Sequence, residues 1–182
     1  MPTRRTSFIA LTAVLLAGAS TAATQSTAMA ATAAPAAARG VNHGIDYLNT
    51  QVDLPSGVWT DVPVQVVLPR AGTYELDADV RGRLSGVPAL NTYITARLWN
   101  ATSGAPLSHS ERLVYQVIDL NAGSAQAGGN ATAPISELIR VNRPTTISLQ
   151  ATHTDAVGTA NVAQIYSDGA GYTSLRYDRV GP

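Results

Sequence analysis

At 182 residues, with twelve basic side chains balanced by twelve acidic ones, the chain has room for one domain of ordinary size and lacks the charge excess that draws a protein to nucleic acid or to an acidic membrane surface. It contains no cysteine, which excludes a disulfide framework and a thiolate metal site. Every basic residue is arginine, and with the alanine-rich beginning this reads as a bacterial chain from a GC-rich genome.

Residues 1 to 30 read as a signal peptide. Arg4 and Arg5 form a positive start, Phe8 to Ala19 an apolar core, and a run of small residues follows. That core has about twelve residues against the roughly twenty needed to cross a bilayer, so no membrane anchor is expected. Ala28-Met29-Ala30 is the preferred cleavage site, with Ala17-Gly18-Ala19 as an earlier alternative. The twin arginine raises the folded-protein export route, but Phe8 sits one place late for that motif, which favours the general secretory route. Residues 31 to 40 are an Ala/Pro-rich lead-in with nothing to pack, expected to be a flexible tether. The expected destination is secreted and extracellular. Without the signal the chain keeps ten arginines against twelve carboxylates, a formal charge of −2.

Residues 41 to 182 read as a single β-sandwich domain. Val64 to Leu68 leads through Pro69, Ala71 and Gly72 into Thr73 to Leu84, where Tyr74, Leu76, Ala78, Val80 and Leu84 alternate with Glu75, Asp77, Asp79, Arg81 and Arg83. Period two places one set on the core and the other in water. Thr92 to Trp99 repeats the pattern, with Ile94, Ala96 and Leu98 opposed to Tyr93, Arg97 and Trp99. After a break at Ser103, Gly104 and Pro106, Leu107 to Asp119 resumes with Leu113, Tyr115 and Val117 in phase. The polar stretch from Leu120 to Ala133 reads as a mobile loop. Pro134 to Val141, Thr145 to His153, Val162 to Ser167 and Tyr172 to Val180 follow as strands. Val, Ile, Thr and Tyr fill these segments, strong helix formers are sparse, and the pattern predicts an all-β, two-sheet antiparallel sandwich, a jelly roll of about 8–10 strands.

Three stretches resemble a known family: Leu68-Pro69-x-Ala71-Gly72-Thr73-Tyr74 entering an alternating strand, Ala96-Arg97-Leu98-Trp99-Asn100-x-Thr102-x-Gly104, and Tyr172-Thr173-Ser174-Leu175-Arg176-Tyr177. Together they are similar to the tumour necrosis factor-like and complement globular-head jelly rolls, most of all the bacterial and phage-tail versions, over roughly residues 55 to 180. The resemblance implies a ten-stranded sandwich that serves as a binding or structural head and assembles as a homotrimer through one sheet face. Neither a collagen-like stalk nor coiled-coil heptads precede the domain here, a departure from that arrangement.

Chemistry-bearing residues are few. His43, expected before the first strand, His109 after a loop and His153 at a strand end lack metal-ligand spacing and read as ordinary surface histidines. Ser108-His109-Ser110-Glu111 has hydrolase residue types, yet along a strand His109 and Glu111 would face away from both serines. Asp77 and Asp79 stand about 7 Å apart along their strand, a spacing compatible with an inverting glycosidase or calcium, though a solvated face balanced by Arg81, Arg83 or a neighbouring strand accounts for them more simply. No catalytic residue, metal or cofactor is expected, and two Asn-x-Thr sequons, at Asn100 and Asn130, carry little weight in a bacterial chain. Tyr93, Arg97 and Trp99 are the ligand or interface candidates, since two rings facing outward beside a guanidinium suit sugar stacking or a partner surface. The Leu120 to Ala133 loop is a second candidate surface. The function expected first is therefore a secreted noncatalytic binding or assembly module, engaging an extracellular glycan or protein partner and not nucleic acid. A structural or adaptor subunit of an extracellular assembly comes second, and a secreted hydrolase third.

Overall fold

The computed structural model describes residues 42–182. The segments expected to be a signal peptide, 1 to 30, and a lead-in, 31 to 40, lie outside the described residues.

Among the described residues eleven strands follow one another: β1 (His43–Tyr47), β2 (Val52–Asp53), β3 (Thr60–Leu68), β4 (Gly72–Gly86), β5 (Leu90–Asn100), β6 (Ala105–Pro106), β7 (Arg112–Asp119), β8 (Ala127–Val141), β9 (Thr145–Val157), β10 (Ala160–Ile165) and β11 (Ser174–Gly181). A six-stranded antiparallel sheet runs β1-β11-β4-β10-β2 with β8 on the other side of β4, and a five-stranded sheet runs β3-β9-β5-β6 with β7 also on β5. Both β10 and β11 pair with β4, at different ends of that strand, and β1 and β2 extend the same two neighbours. With β1/β2, β6/β7 and β10/β11 each taken as one interrupted strand, the sheets run first-eighth-third-sixth and second-seventh-fourth-fifth. That order is a jelly roll, the fold class expected, although the alternation alone does not fix strand order, and no helix long and apolar enough to cross a membrane occurs among the described residues.

The inner faces supply the core. Val62, Val64, Val66 and Leu68 of β3, Tyr74, Leu76, Ala78, Val80 and Leu84 of β4, Ile94, Ala96 and Leu98 of β5, and Ile147, Leu149 and Ala151 of β9 are all buried, and the sandwich stands on their contact. Truncating one of these leucines to alanine costs about 2–5 kcal/mol. Gly82 faces the same interior, where an added Cβ would meet Val114 Cγ1 at 2.8 Å and Ile94 Cδ1 at 3.3 Å.

Several expectations are corrected. His43 opens β1 rather than preceding the first strand. In β7 the sequence phase breaks: a bulge between the pairs Ile94↔Tyr115 and Thr95↔Leu113 leaves Val114 without a partner. The extra residue turns Val114 into the core and Leu113, 55% exposed, out to solvent, while Tyr115 and Val117 keep their inward side. The supposed loop from Leu120 to Ala133 is strand from Ala127 onward, because β8 pairs with β4 without interruption from Gly72↔Val141 to Gly86↔Ala127. Its Ala, Gly and Asn residues have little β-propensity, and the long partner strand imposes the conformation. Gly128 sits with φ +153, and a Cβ there would fall 2.3 Å from Ser85 Cβ. Pro134 is tolerated inside β8 because this strand has a sheet neighbour on one side only. Arg81, expected in water, is buried: Tyr166 lies across it, 5.1 Å from ring centroid to guanidinium carbon, and Asp168 pairs with it at 3.1 Å.

Candidate functional site

The alternation of β5 places Ile94, Ala96 and Leu98 in the core and Tyr93, Arg97 and Trp99 on the outer face of the five-stranded sheet. There the three candidates part company. Arg97 and Trp99 are successive residues on that face, with the guanidinium 5.2 Å from the Trp99 ring centroid. Tyr93 lies four residues back, roughly 13 Å along the strand, between Gln116 of β7 and Thr154 of β9.

What joins Arg97 and Trp99 instead is Trp59, the residue just before β3. The Arg97 guanidinium carbon lies 3.8 Å from the Trp59 ring centroid, so the cation is layered between the chain's two tryptophans. Trp59 is brought here by the turn that precedes it, where Gly57, at φ +73, donates its amide to the His153 carbonyl at 2.8 Å and Ser56 bridges to His153. Beneath the stack Gln150 of β9 fixes the guanidinium. Its Oε1 accepts from Arg97 Nε at 3.0 Å and Nη2 at 2.9 Å, and its Nε2 donates to Asp61 Oδ1 of β3 at 2.8 Å. The buried amide thus links the Arg97 cation to the Asp61 carboxylate across three strands.

The strands therefore carry two adjacent rows. One is Asp61, Gln150, Arg97, and the next is Gln65, Ser148, Trp99. Between β3 and Trp99 lies a groove of about 450 Å³, lined among others by Asp46, Asp61, Gln65, Ser148 and Trp99. A bulge in β3 between Val62 and Gln65 opens it, and the Gln65 amide donates to Asp46 Oδ2 of β1 at 2.9 Å. An aromatic wall, a fixed cation and a rim of carboxylate, amide and hydroxyl groups can stack on an apolar ring face while exchanging hydrogen bonds at its edge.

Trp59, Gln150 and Asp61 were not singled out from sequence. A faint signal was present: Trp59 shares the parity of Asp61 and Gln65, the solvent-facing residues of β3, and it is one of only two tryptophans.

Elsewhere the sequence candidates resolve differently. Residues 108 to 111 are not strand. His109 stands at φ 66, exposed, and Ser110 is buried with its Oγ accepting from the Leu98 amide at 3.0 Å and donating to the Leu107 carbonyl at 2.9 Å. That serine pins the chain after β6 and forms no triad with its neighbours. His153 is no strand-end surface residue. It lies buried within β9, with Nδ1 2.6 Å from the Leu54 carbonyl and Nε2 3.3 Å from Asp155 Oδ2. Burial would raise the Asp155 carboxyl, but the Ala160 amide, the Thr92 hydroxyl and His153 hold it below the ordinary carboxylate value. Asp77 is balanced by a neighbouring strand: Ser136 donates to it at 2.6 Å, and Arg176 of β11 grips it through Nε at 3.1 Å and Nη2 at 2.9 Å. The Ser136 hydroxyl, and then Arg176, hold its carboxyl low against burial. Among the described residues no three His, Asp or Glu side chains converge to hold a metal ion.

No protein-family model and no curated protein matches the sequence. Solved structures similar to it include a mutant VP2 protein of infectious bursal disease virus from derived T=1 particles, with 13% identity and a TM-score of 0.45 over 75% of this chain and 31% of that one. Another is the Gt strain of the same virus, with 15% identity and a TM-score of 0.39 over 76% and 37%. The chain spans about a third of the length of these two viral chains.

Proposed function

We propose that this chain is an exported, noncatalytic jelly-roll binding module that holds an extracellular glycan on the outer face of its five-stranded sheet. The observation that carries this reading is the Arg97 guanidinium layered between Trp59 and Trp99 and fixed from below by Gln150. A long side chain that would otherwise sample many rotamers is already immobilised, so a ligand meeting it loses little further entropy. The Trp99 ring borders the groove, and Asp61, Gln65 and Ser148 around it are the groups that hydrogen-bond sugar hydroxyls. Export rests on the signal-like pattern of residues 1 to 30.

Pull-down on insoluble cellulose, chitin and xylan tests the reading. The wild-type chain is expected to be retained by at least one of the three, and Trp99→Ala and Trp59→Ala to weaken that retention at least about ten-fold, as loss of an aromatic anchor does. Retention unchanged in both variants removes the platform from the binding site.

A second reading, an assembly module, is favoured by β7 and β8, each with a sheet partner on one side only among the described residues, and by the exposed Leu113, Ile118 and Leu138 that they carry. A monomeric mass by light scattering at micromolar concentration counts against it.

A further inference from the structure

The outer face of the six-stranded sheet repeats the plan of the platform with different residues. Four strands, β1, β11, β4 and β8, lie side by side there, and their registers align two cross-strand rows. One row is Ile45, Arg176, Asp77 and Ser136; the next is Tyr47, Ser174, Asp79 and Pro134. At about 4.8 Å per strand the rows span roughly 14 Å, and they stand roughly 7 Å apart. These eight residues, together with Tyr172, border a groove of about 490 Å³, within the roughly 300–1,000 Å³ usual for small-ligand sites.

Its walls and floor differ in chemistry. At one end Tyr47 and Tyr172 meet edge to face, centroids 6.0 Å apart, and yet remain 45% and 59% exposed. A pair of large rings left open to water on a polar sheet face is a surface that an apolar ligand face would cover. The floor is low because Ser174, in the row between Tyr47 and Asp79, is small and buried. The far end is rigid, since Asp77 is held by Arg176 and by Ser136.

We propose that this groove is a second, independent binding site for neutral sugars. The charge balance selects that class. Asp77 and Arg176 compensate each other, and Asp79, which forms no ion pair among the described residues, leaves the groove at −1. Uronic or sulfated sugars would be repelled by it, whereas a neutral hexose or pentose can donate two adjacent hydroxyls to Asp79 while its C–H face lies on Tyr172. The two sites face away from each other, being on the outer surfaces of opposed sheets. A domain that holds one chain on each side links two glycan strands, a consequence that rests on the platform also binding glycan.

Native gel electrophoresis of the full chain through soluble xylan, mixed-linkage β-glucan and galactomannan separates the two readings. Tyr172 and Asp79 are exposed, so Tyr172→Ala and Asp79→Ala are expected to keep the wild-type melting temperature. With a polysaccharide that retards the wild type, Trp99→Ala and Tyr172→Ala should each remain partly retarded. The Trp99→Ala/Tyr172→Ala double variant should migrate as if no polysaccharide were present, as should Trp99→Ala/Asp79→Ala. Complete loss in Trp99→Ala with no effect of Tyr172→Ala overturns the groove and leaves the platform standing. Complete loss in Tyr172→Ala with no effect of Trp99→Ala supports the groove and overturns the platform. A double variant retarded as strongly as Trp99→Ala alone, or a wild type slowed by none of the three, overturns the groove.

Discussion

On each outer face of the sandwich an arginine is held in a groove-lined surface that also carries aromatic rings, but the group that holds it is different. Across the five-stranded sheet Arg97 is bound by the neutral amide of Gln150, itself buried and tied on to Asp61. Across the six-stranded sheet Arg176, whose side chain is 57% exposed, is bound directly by the carboxylate of Asp77. The first arrangement stacks its cation on tryptophan and keeps its fixing group dry; the second leaves its cation in water and fixes it by charge. The same task, immobilising a guanidinium on a sheet surface, is met by packing on one side and by electrostatics on the other, and the two respond to different perturbations.

The largest effect should come from the dry side. Gln150→Leu removes a buried amide that serves two partners, and the expected loss is about 2 kcal/mol, roughly 6–10 °C in melting temperature for a domain of this size. Thermal unfolding followed by circular dichroism measures it. Asp77→Asn should cost less, under about 1 kcal/mol at neutral pH, because Arg176 is largely solvated. Equal losses in the two variants would erase the distinction.

Acid sharpens the contrast further. The Asp77 carboxyl is held below its ordinary 3.8 by Ser136 and Arg176, so its contribution is fully present above that value and disappears as pH falls through the lower folded-state value. The melting-temperature gap between wild type and Asp77→Asn should therefore be constant from pH 7 to 5 and close towards pH 2. The amide of Gln150 does not titrate, and the Gln150→Leu gap should persist where the Asp77→Asn gap has closed. The smallest effect is expected from salt: 1 M sodium chloride should shrink the Asp77→Asn gap by a few tenths of a kcal/mol at most and leave the Gln150→Leu gap alone, because screening acts on the solvated pair.

Legibility in the sequence followed locality. The alternation in β4 and β5 named the core residues and put Arg97 and Trp99 on one surface, since period two fixes faces without knowledge of neighbours. It could not place Trp59 against Arg97, because that contact depends on β9 lying between β3 and β5. Nor could it find Arg176 for Asp77, 99 residues apart, or see that Tyr47 and Tyr172 meet. The misread phase at Leu113 has a purely local cause, the extra residue at Val114, yet a bulge leaves no mark in a hydrophobic pattern that remains apolar on both sides of it. The first half of β8 was invisible for the opposite reason. Ala127 to Ala133 has almost no strand-forming side chains, and only the far half of β4 makes it a strand.

The pairing of β1 with β11 puts the beginning of the described domain beside its end, His43 opposite Asp178. Without β11, β1 has no strand partner among the described residues. The pairing joins strands from opposite ends of the described residues, a topology with the high contact order of slow folders. Ile45 and Tyr47 have Arg176 and Ser174 as neighbours only through that long-range pairing, so the tyrosine groove exists only where the two ends of the described domain have come together.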